Sequence, residues 1–178
     1  MTKQELREQI KASIELMTIK EREVASIQIC QQIIGSTEWK EANNVWLYAA
    51  LPDEVDLNLL FQDAEQHNKR ILLPVVDGND LQIKFYDPQH IVPTGKYNIN
   101  EPTFHCPALS NLGEIDMAII PGRAFTPDGQ RMGRGKGFYD RTLTSIRCPK
   151  WGVAFACQIV DEIPTDPWDI RLDRIINN

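Results

Sequence analysis

The sequence has no run approaching the ~20 apolar residues that a membrane-spanning helix requires. It has no excess of positive charge either: 19 Lys and Arg stand against 25 Asp and Glu, a formal net charge of −6. The first absence leaves no candidate for a helical membrane anchor. The second argues against a general nucleic-acid binder, which depends on a broad basic surface. Any basic site must be local. Cysteine is sparse, at Cys30, Cys106, Cys148 and Cys157, and forms no C-x-x-C pair. The three histidines (His67, His90, His105) show no ligand spacing against them. Zinc is therefore not expected, and reduced thiols in a cytoplasmic protein are. The opening "MTKQELREQIKAS" is charged and helical rather than apolar, so no signal peptide is expected. Repeats and low-complexity tracts are missing too.

The chain has 178 residues, 42% of them hydrophobic and 25% charged. A chain of this length buries roughly 70% of its extended surface, enough for one core without covalent staples. A single domain over 1–178 is expected. At the N-terminus, Thr2 with Glu5 and Thr18 with Glu21 are two capping boxes, each opening a helical pattern. The first helix repeats Leu6, Ile10, Ile14 and Met17. The second puts Val24, Ile27, Gln31 and Ile34 on one side and ends at Gly35.

The rhythm then shortens. Strands are expected over 44–51, 70–76, 81–86, 116–121, 151–157 and 172–177. Asp56 can cap a helix whose inner face holds Leu57, Leu60, Phe61 and Ala64, and a short helix is expected over 138–146. "DGND" (77–80) is a tight turn, and 87–113, rich in proline, reads as a long functional loop. Strands alternating with helices, several apolar on both faces, predict an α/β fold. It is a mostly parallel sheet covered by helices on both faces, a Rossmann-like three-layer sandwich. In such sheets ligands sit beyond the carboxyl ends of the strands. "LPDEVD" and "PGRAFTPDGQRMGRGKG" both leave strands at that end.

The second loop carries the densest signal. Gly133, Gly135 and Gly137 alternate with Arg134 and Lys136, flanked by Arg131 and Arg141. The spacing fits neither the P-loop nor the G-x-G-x-x-G dinucleotide fingerprint. The physics holds without either: glycines let backbone N–H groups converge on an anion, and the following helix brings its positive end to the same place. Arg134 and Lys136 add charge-assisted hydrogen bonds of about 1.5–3 kcal/mol each. Lys3, Arg7 and Lys11 stack at i, i+4 spacing, with Lys3 and Arg7 near a helix N-terminus, which fits either a solvated face neutralised by Glu8 and Glu15 or a bound polyanion. Asp140, at the mouth of the loop, would repel phosphate unless a cation bridged them. Mg2+ takes one or two carboxylates plus phosphate oxygens. Asp166, Asp169 and Asp173 are all possible partners on this evidence of spacing, with turn and capping roles as the alternative for Asp166 and Asp173.

Taken together, "KxxLR", "PDE", "LLP", "NEP" (within "GKYNINEP", 95–102), "PG.AF...G.R.G.GKG.YDR" and "Q.V..IP...WD..LD" resemble the 5-formyltetrahydrofolate cyclo-ligase family from end to end. The resemblance implies a single α/β domain acting as a monomer. Its reaction would be the ATP- and Mg2+-dependent closure of 5-formyltetrahydrofolate to 5,10-methenyltetrahydrofolate, through phosphorylation of the formyl oxygen and attack by N10, releasing ADP and phosphate. It implies ATP contacts from Lys3, Gln4, Glu5, Leu6 and Arg7. Further ATP contacts would come from Arg131, Met132, Gly133, Arg134, Gly135, Lys136, Gly137, Phe138 and Tyr139. Lys136 would lie nearest the transferring phosphoryl, with Arg134 as the second catalytic group. Asp140 and Asp169 would hold the metal. Glu54 would take the pterin edge, Ala49 would line its pocket, and Arg134 through Phe138 (with Gly135, Lys136 and Gly137) would face both ligands.

Four positions depart from the family pattern. Phe138 stands where tyrosine is usual, Met132 replaces a leucine, Ala49 a bulkier apolar residue, and Asn98 a frequent glycine. Other readings are a nucleic-acid-binding or other phosphate-ligand module on the same fold without ligase activity, or a sugar-phosphate isomerase or CoA-transferase relative. The acidic balance and retained acids argue against the former. The "KxxLR" helix would be unexplained in the latter.

Overall fold

The computed structural model describes residues 1–94 and 99–178, so the departure at Asn98 lies outside the described residues. Helices α1 (Lys3–Glu15) and α2 (Ile19–Ile34) start where the capping boxes place them. Thr2 Oγ1 accepts from the Glu5 amide at 3.2 Å while Glu5 Oε2 accepts from the Thr2 amide at 2.7 Å. Thr18 and Glu21 repeat the exchange. Each box satisfies two amides that a helix start otherwise leaves without partners.

In α1 the buried face is Leu6, Ile10 and Ile14, as the spacing indicates. In α2 it is Ala25, Ile29, Cys30 and Ile33, not the side of Val24 and Ile27, which are 47% and 45% exposed. This helix has two apolar stripes, and the one with the smaller Ala25 and Cys30 packs on α4 (Asn58–Gln66) and β10 (Arg174–Asn177). Burial pushes the Cys30 thiol up to about 12, and all four cysteines are free.

The central sheet has six strands in the order β10-β9-β6-β1-β2-β3, built from β1 (Asn44–Trp46), β2 (Arg70–Asp77), β3 (Asp80–Phe85), β6 (Met117–Ile120), β9 (Lys150–Ala154) and β10. All neighbours are parallel except β2 and β3, an antiparallel hairpin turned at Gly78 with φ +61. Side chains alternate faces along each strand. Val45, Ile71, Leu73, Met117 and Ile119 join the core beneath α1, α2 and α4. Trp46, Leu72, Ala118 and Ile120 join a second core with Leu143 and Ile146, at and beyond the end of α5 (Phe138–Leu143). The three-layer α/β expectation is met.

Several boundaries differ from the sequence reading. β1 stops at Trp46 rather than 51, because the chain folds back and the Leu51 amide bonds Glu54 Oε2 at 3.0 Å. β9 stops at Ala154, where the Phe155 amide bonds Gln158 Oε1 at 2.8 Å and a 3-10 turn begins. A short α3 (Thr37–Glu41), capped by Ser36, was not foreseen. Asp56 Oδ1 accepts from the Asn58 amide at 2.9 Å at the start of α4. The span expected as an irregular loop holds a 3-10 turn over Pro88–His90 and a hairpin of β4 (Ile91–Thr94) and β5 (Ile99–Pro102). A second small hairpin pairs β7 (Ala124–Phe125) with β8 (Arg131–Met132).

Candidate active site

β1 continues through α4 to β2 on one side, while β6 lies against its other side. The chain order therefore reverses between β1 and β6, and loops leaving the two strands diverge to open a crevice. Residues 47–57 follow β1, and Pro121, Gly122 and Arg123 follow β6. The β7–β8 hairpin then delivers the glycine loop, 133–137, over the opening. Gly135 and Gly137 adopt φ +100 and +68, the left-handed region that a side chain would strain. Gly133 is fastened to α1, its carbonyl accepting from Arg7 Nε at 3.0 Å.

Two cavities meet at this loop, each of about 300 Å3. The first is mainly apolar, walled by Ala49, Leu73, Pro121, Phe138 and Tyr139, with Glu54 as a carboxylate in its wall. Glu54 is 11% exposed in its side chain. The second carries charges of both signs, walled by Lys3, Arg7, Met132, Gly135, Asp166 and Asp169. Arg131, Gly133, Gly137 and Asp140 line both, so the glycine loop is their common wall. A third cleft of about 880 Å3 shares Tyr48, Ala49, Leu51 and Glu54 with the first and opens it toward α2 and α4.

Acids and cations around the loop are paired with one another. Glu54 Oε1 accepts from Arg134 Nε at 3.1 Å and Nη2 at 2.9 Å. Asp140 Oδ1 accepts from Arg131 Nη2 at 3.0 Å. The Lys3 ammonium lies 2.7 Å from both Asp166 Oδ2 and Asp169 Oδ2. Burial alone would raise the Asp169 carboxyl, but the bonds from Lys3 and the Asp166 amide outweigh it and hold it below the ordinary carboxylate value. Lys136 differs from these cations. It lines the first cavity, is exposed, and its ammonium has no hydrogen bond or ion pair among the described residues.

Arg131 is buried at 5% exposure and anchored by Nη1 to the Pro121 carbonyl at 2.9 Å; its Nε has no acceptor among the described residues. Its guanidinium sits 5.5 Å from the Tyr139 ring centre, and Tyr139 stacks on Trp46 at 5.5 Å and 5°. Burial pushes the Tyr139 phenol well above its ordinary value. The loop's footing is thus rigid aromatic packing. Phe138, lacking a hydroxyl, packs its ring 5.6 Å from the Arg141 guanidinium.

The structure does not gather every residue the sequence reading singled out. Gln4 donates to Glu8 at 2.7 Å on the exposed side of α1, Glu5 is occupied in the capping box, and Leu6 is in the core. None of the three lines these cavities. Conversely, Asp53, Arg123 and Tyr48 were not singled out. Tyr48 is buried with its hydroxyl donating to the Val55 carbonyl at 2.8 Å. Only its place beside Ala49, just beyond the end of β1, could have pointed to it.

The carboxylates of the second cavity are donors of the kind a divalent cation takes. Asp140, Asp166 and Asp169 offer only hard oxygens to one cavity, and the Lys3 ammonium already bridges two of them. Mg2+ asks for one or two carboxylates when phosphate oxygens complete its shell. Among the described residues, however, these carboxylates are not assembled into a metal site, and no group of three or more His, Cys, Asp or Glu side chains is placed to hold one.

Comparison with known proteins gives a consistent result. The model of the 5-formyltetrahydrofolate cyclo-ligase family matches residues 1–178. The chain is 29% identical over 180 residues to the 5-formyltetrahydrofolate cyclo-ligase of Haemophilus influenzae, covering 98% of this chain and 96% of that one. It is 33% identical over 141 residues to the Escherichia coli K12 protein of the same name, covering 76% and 78%. Among solved structures, the Aquifex aeolicus 5,10-methenyltetrahydrofolate synthetase superposes with a TM-score of 0.87 at 32% identity, over 99% of this chain and 89% of that one. The Mycoplasma pneumoniae 5,10-methenyltetrahydrofolate synthetase does so at 0.80 and 28%, over 99% of each.

Proposed function

Because this chain belongs to the 5-formyltetrahydrofolate cyclo-ligase family, we propose that it closes 5-formyltetrahydrofolate to 5,10-methenyltetrahydrofolate in an ATP-driven reaction, with residues 1–178 acting as one monomeric catalytic domain in the cytoplasm. Reduced folate and ATP are its partners in this reading, with no role for nucleic acid or membrane. One observation carries it: an apolar cavity with a wall carboxylate and a cavity lined by cations and aspartates share the glycine loop as their common wall. A flat heterocycle in the first and a triphosphate in the second would meet there.

The formyl oxygen is an amide oxygen and a poor leaving group. It attacks the γ-phosphorus, the bond to the bridging oxygen breaks, and ADP leaves. N10 then attacks the formyl carbon and loses its proton, and the carbon–oxygen bond breaks with phosphate as the leaving group. Such a reaction needs positioning and charge stabilisation more than covalent catalysis. Lys136, unpaired among the described residues, meets the transferring phosphoryl, and Arg134 leaves Glu54 to join it. Glu54 then accepts from the ring N–H and amino group of the pterin. Gly133, Gly135 and Gly137 offer backbone amides, and Arg131 and Lys3 neutralise the remaining phosphate charge. Mg2+ arriving with the nucleotide would be held by Asp140 and Asp169 and would offset phosphate charge.

Turnover can be followed by the near-ultraviolet absorbance of the methenyl product. Lys136→Ala is expected to lose about 100-fold or more in kcat with an unchanged melting temperature, since Lys136 is exposed. Glu54→Ala is expected to raise the folate KM about tenfold, the equivalent of one charge-assisted bond, while sparing that of ATP. Near-normal turnover in Lys136→Ala would sink the phosphoryl assignment.

A further inference from the structure

Asp53 and Arg123 have no part in the scheme above, yet they pair with each other directly beside it. Asp53 Oδ2 accepts from Arg123 Nη1 at 2.5 Å, and Oδ1 accepts from Arg134 Nη2 at 2.6 Å. The Arg123 side chain is 13% exposed, and Asp53 is the only carboxylate paired with it among the described residues. Asp53 lines none of the three cavities around the loop, whereas its neighbour Glu54 lines two of them. The two acids therefore hold one guanidinium from different sides, Glu54 from within the cavity wall and Asp53 from behind it.

We propose that Asp53, backed by Arg123, is the positioning residue for Arg134, keeping its guanidinium at the shared wall while Glu54 turns to the substrate. This rests on the reaction proposed above, because only a ligand that donates to Glu54 sets the two acids to different tasks. Arg134 makes two of its three acid bonds to Glu54 Oε1, and a ring edge donating to that oxygen competes with both. The bond to Asp53 is the one that stays. A bare carboxylate there would repel the incoming phosphate. Arg123 removes that penalty, since the Asp53–Arg123 pair is neutral by itself once Arg134 faces the nucleotide. Burial favours a protonated Asp53, but its two guanidinium bonds more than compensate and keep it below the ordinary carboxylate value, hence an anion at neutral pH. The pair also ties the loop after β1 to the loop after β6, the two sides of the crevice.

Asp53→Asn, Arg134→Ala and the double variant test this with kcat and KM for both substrates. Misplacing a charged group by about 1 Å can cost up to 100-fold, so Asp53→Asn is expected to lower kcat about tenfold, with Asp53→Glu recovering part of the loss. In the Arg134→Ala background Asp53→Asn is expected to cost nothing more, because the group it positions is gone. An equal loss in both backgrounds would mean that Asp53 acts elsewhere and would overturn the proposal, as would an unchanged kcat. A wild-type protein that forms no methenyl product would count against the reaction and leave the clamp to a second reading. That reading is the solvent exchange of the Arg134 Nη2 hydrogens, the donors to Asp53 Oδ1, assigned by their disappearance in Arg134→Lys. Faster exchange in Asp53→Asn supports the clamp, and an unchanged rate overturns it.

Discussion

Lys3, Arg131 and Arg134 each meet a carboxylate, while Lys136 meets none among the described residues. In the proposed reaction that difference would leave Lys136 available to the incoming phosphoryl group while the others hold the resting site together. It also fixes a pH dependence. Asp53 and Asp169 both titrate below the ordinary carboxylate value. A carboxyl depressed in the folded state stabilises the protein above its unfolded value, about 4, and that stability is lost as pH falls through the folded value. Melting temperature is expected to hold from pH 8 to about 5 and to fall steeply below about 4. Asp169→Asn should shallow that fall, and an identical acid limb in the variant would contradict the sign. At this scale the sequence showed the alternating glycines and cations, because they are neighbours in the chain. It could not show Asp53 with Arg123, which lie 70 positions apart. Nor did it show that Gln4 spends its side chain on Glu8, although the capping box already gave Glu5 a local bond.

Among the elements, those with local causes were the legible ones. Both capping boxes are complete in four residues, and α1 and α2 begin where they indicate. Thr18→Ala removes the acceptor for the Glu21 amide and is expected to cost about 1 kcal/mol in chemical denaturation, with Thr18→Ser close to wild type. A loss below a few tenths would mean that solvent replaces the cap. Elements with non-local causes were not legible. The inner face of α2 was decided by what packs against it, since both of its stripes are apolar. The β4–β5 hairpin hid in a proline-rich span because its pattern is too short for a period and Pro93 sits within a strand. β1 was drawn too long because Ala49 to Leu51 are as apolar as a strand, yet turn away to meet Glu54.

For the whole molecule, alternation of strands and helices was enough to foresee an α/β layer structure, but not the strand order. That order places the crevice between β1 and β6, where the two loops singled out in the sequence converge, the second carrying the glycine loop. In the proposed reaction the paired charges would couple the two ligands. Phosphate that draws Arg134 and Lys3 away frees Glu54 and Asp169, so nucleotide binding should strengthen folate binding, and the converse by linkage. A non-hydrolysable ATP analogue with Mg2+ is expected to tighten 5-formyltetrahydrofolate binding about tenfold in calorimetry, within the usual range of such couplings. Equal affinity with and without the analogue would mean that the Arg134–Glu54 pair is not broken in the reaction.

The central claim is tested most directly by mixing the purified protein with 5-formyltetrahydrofolate, ATP and Mg2+ and recording near-ultraviolet absorbance, with ATP and Mg2+ each omitted in turn. The account predicts that absorbance from the methenyl product rises only in the complete mixture. Absorbance that does not rise, from folded protein that binds ATP, would contradict it and leave a phosphate cage serving another amide or acyl substrate.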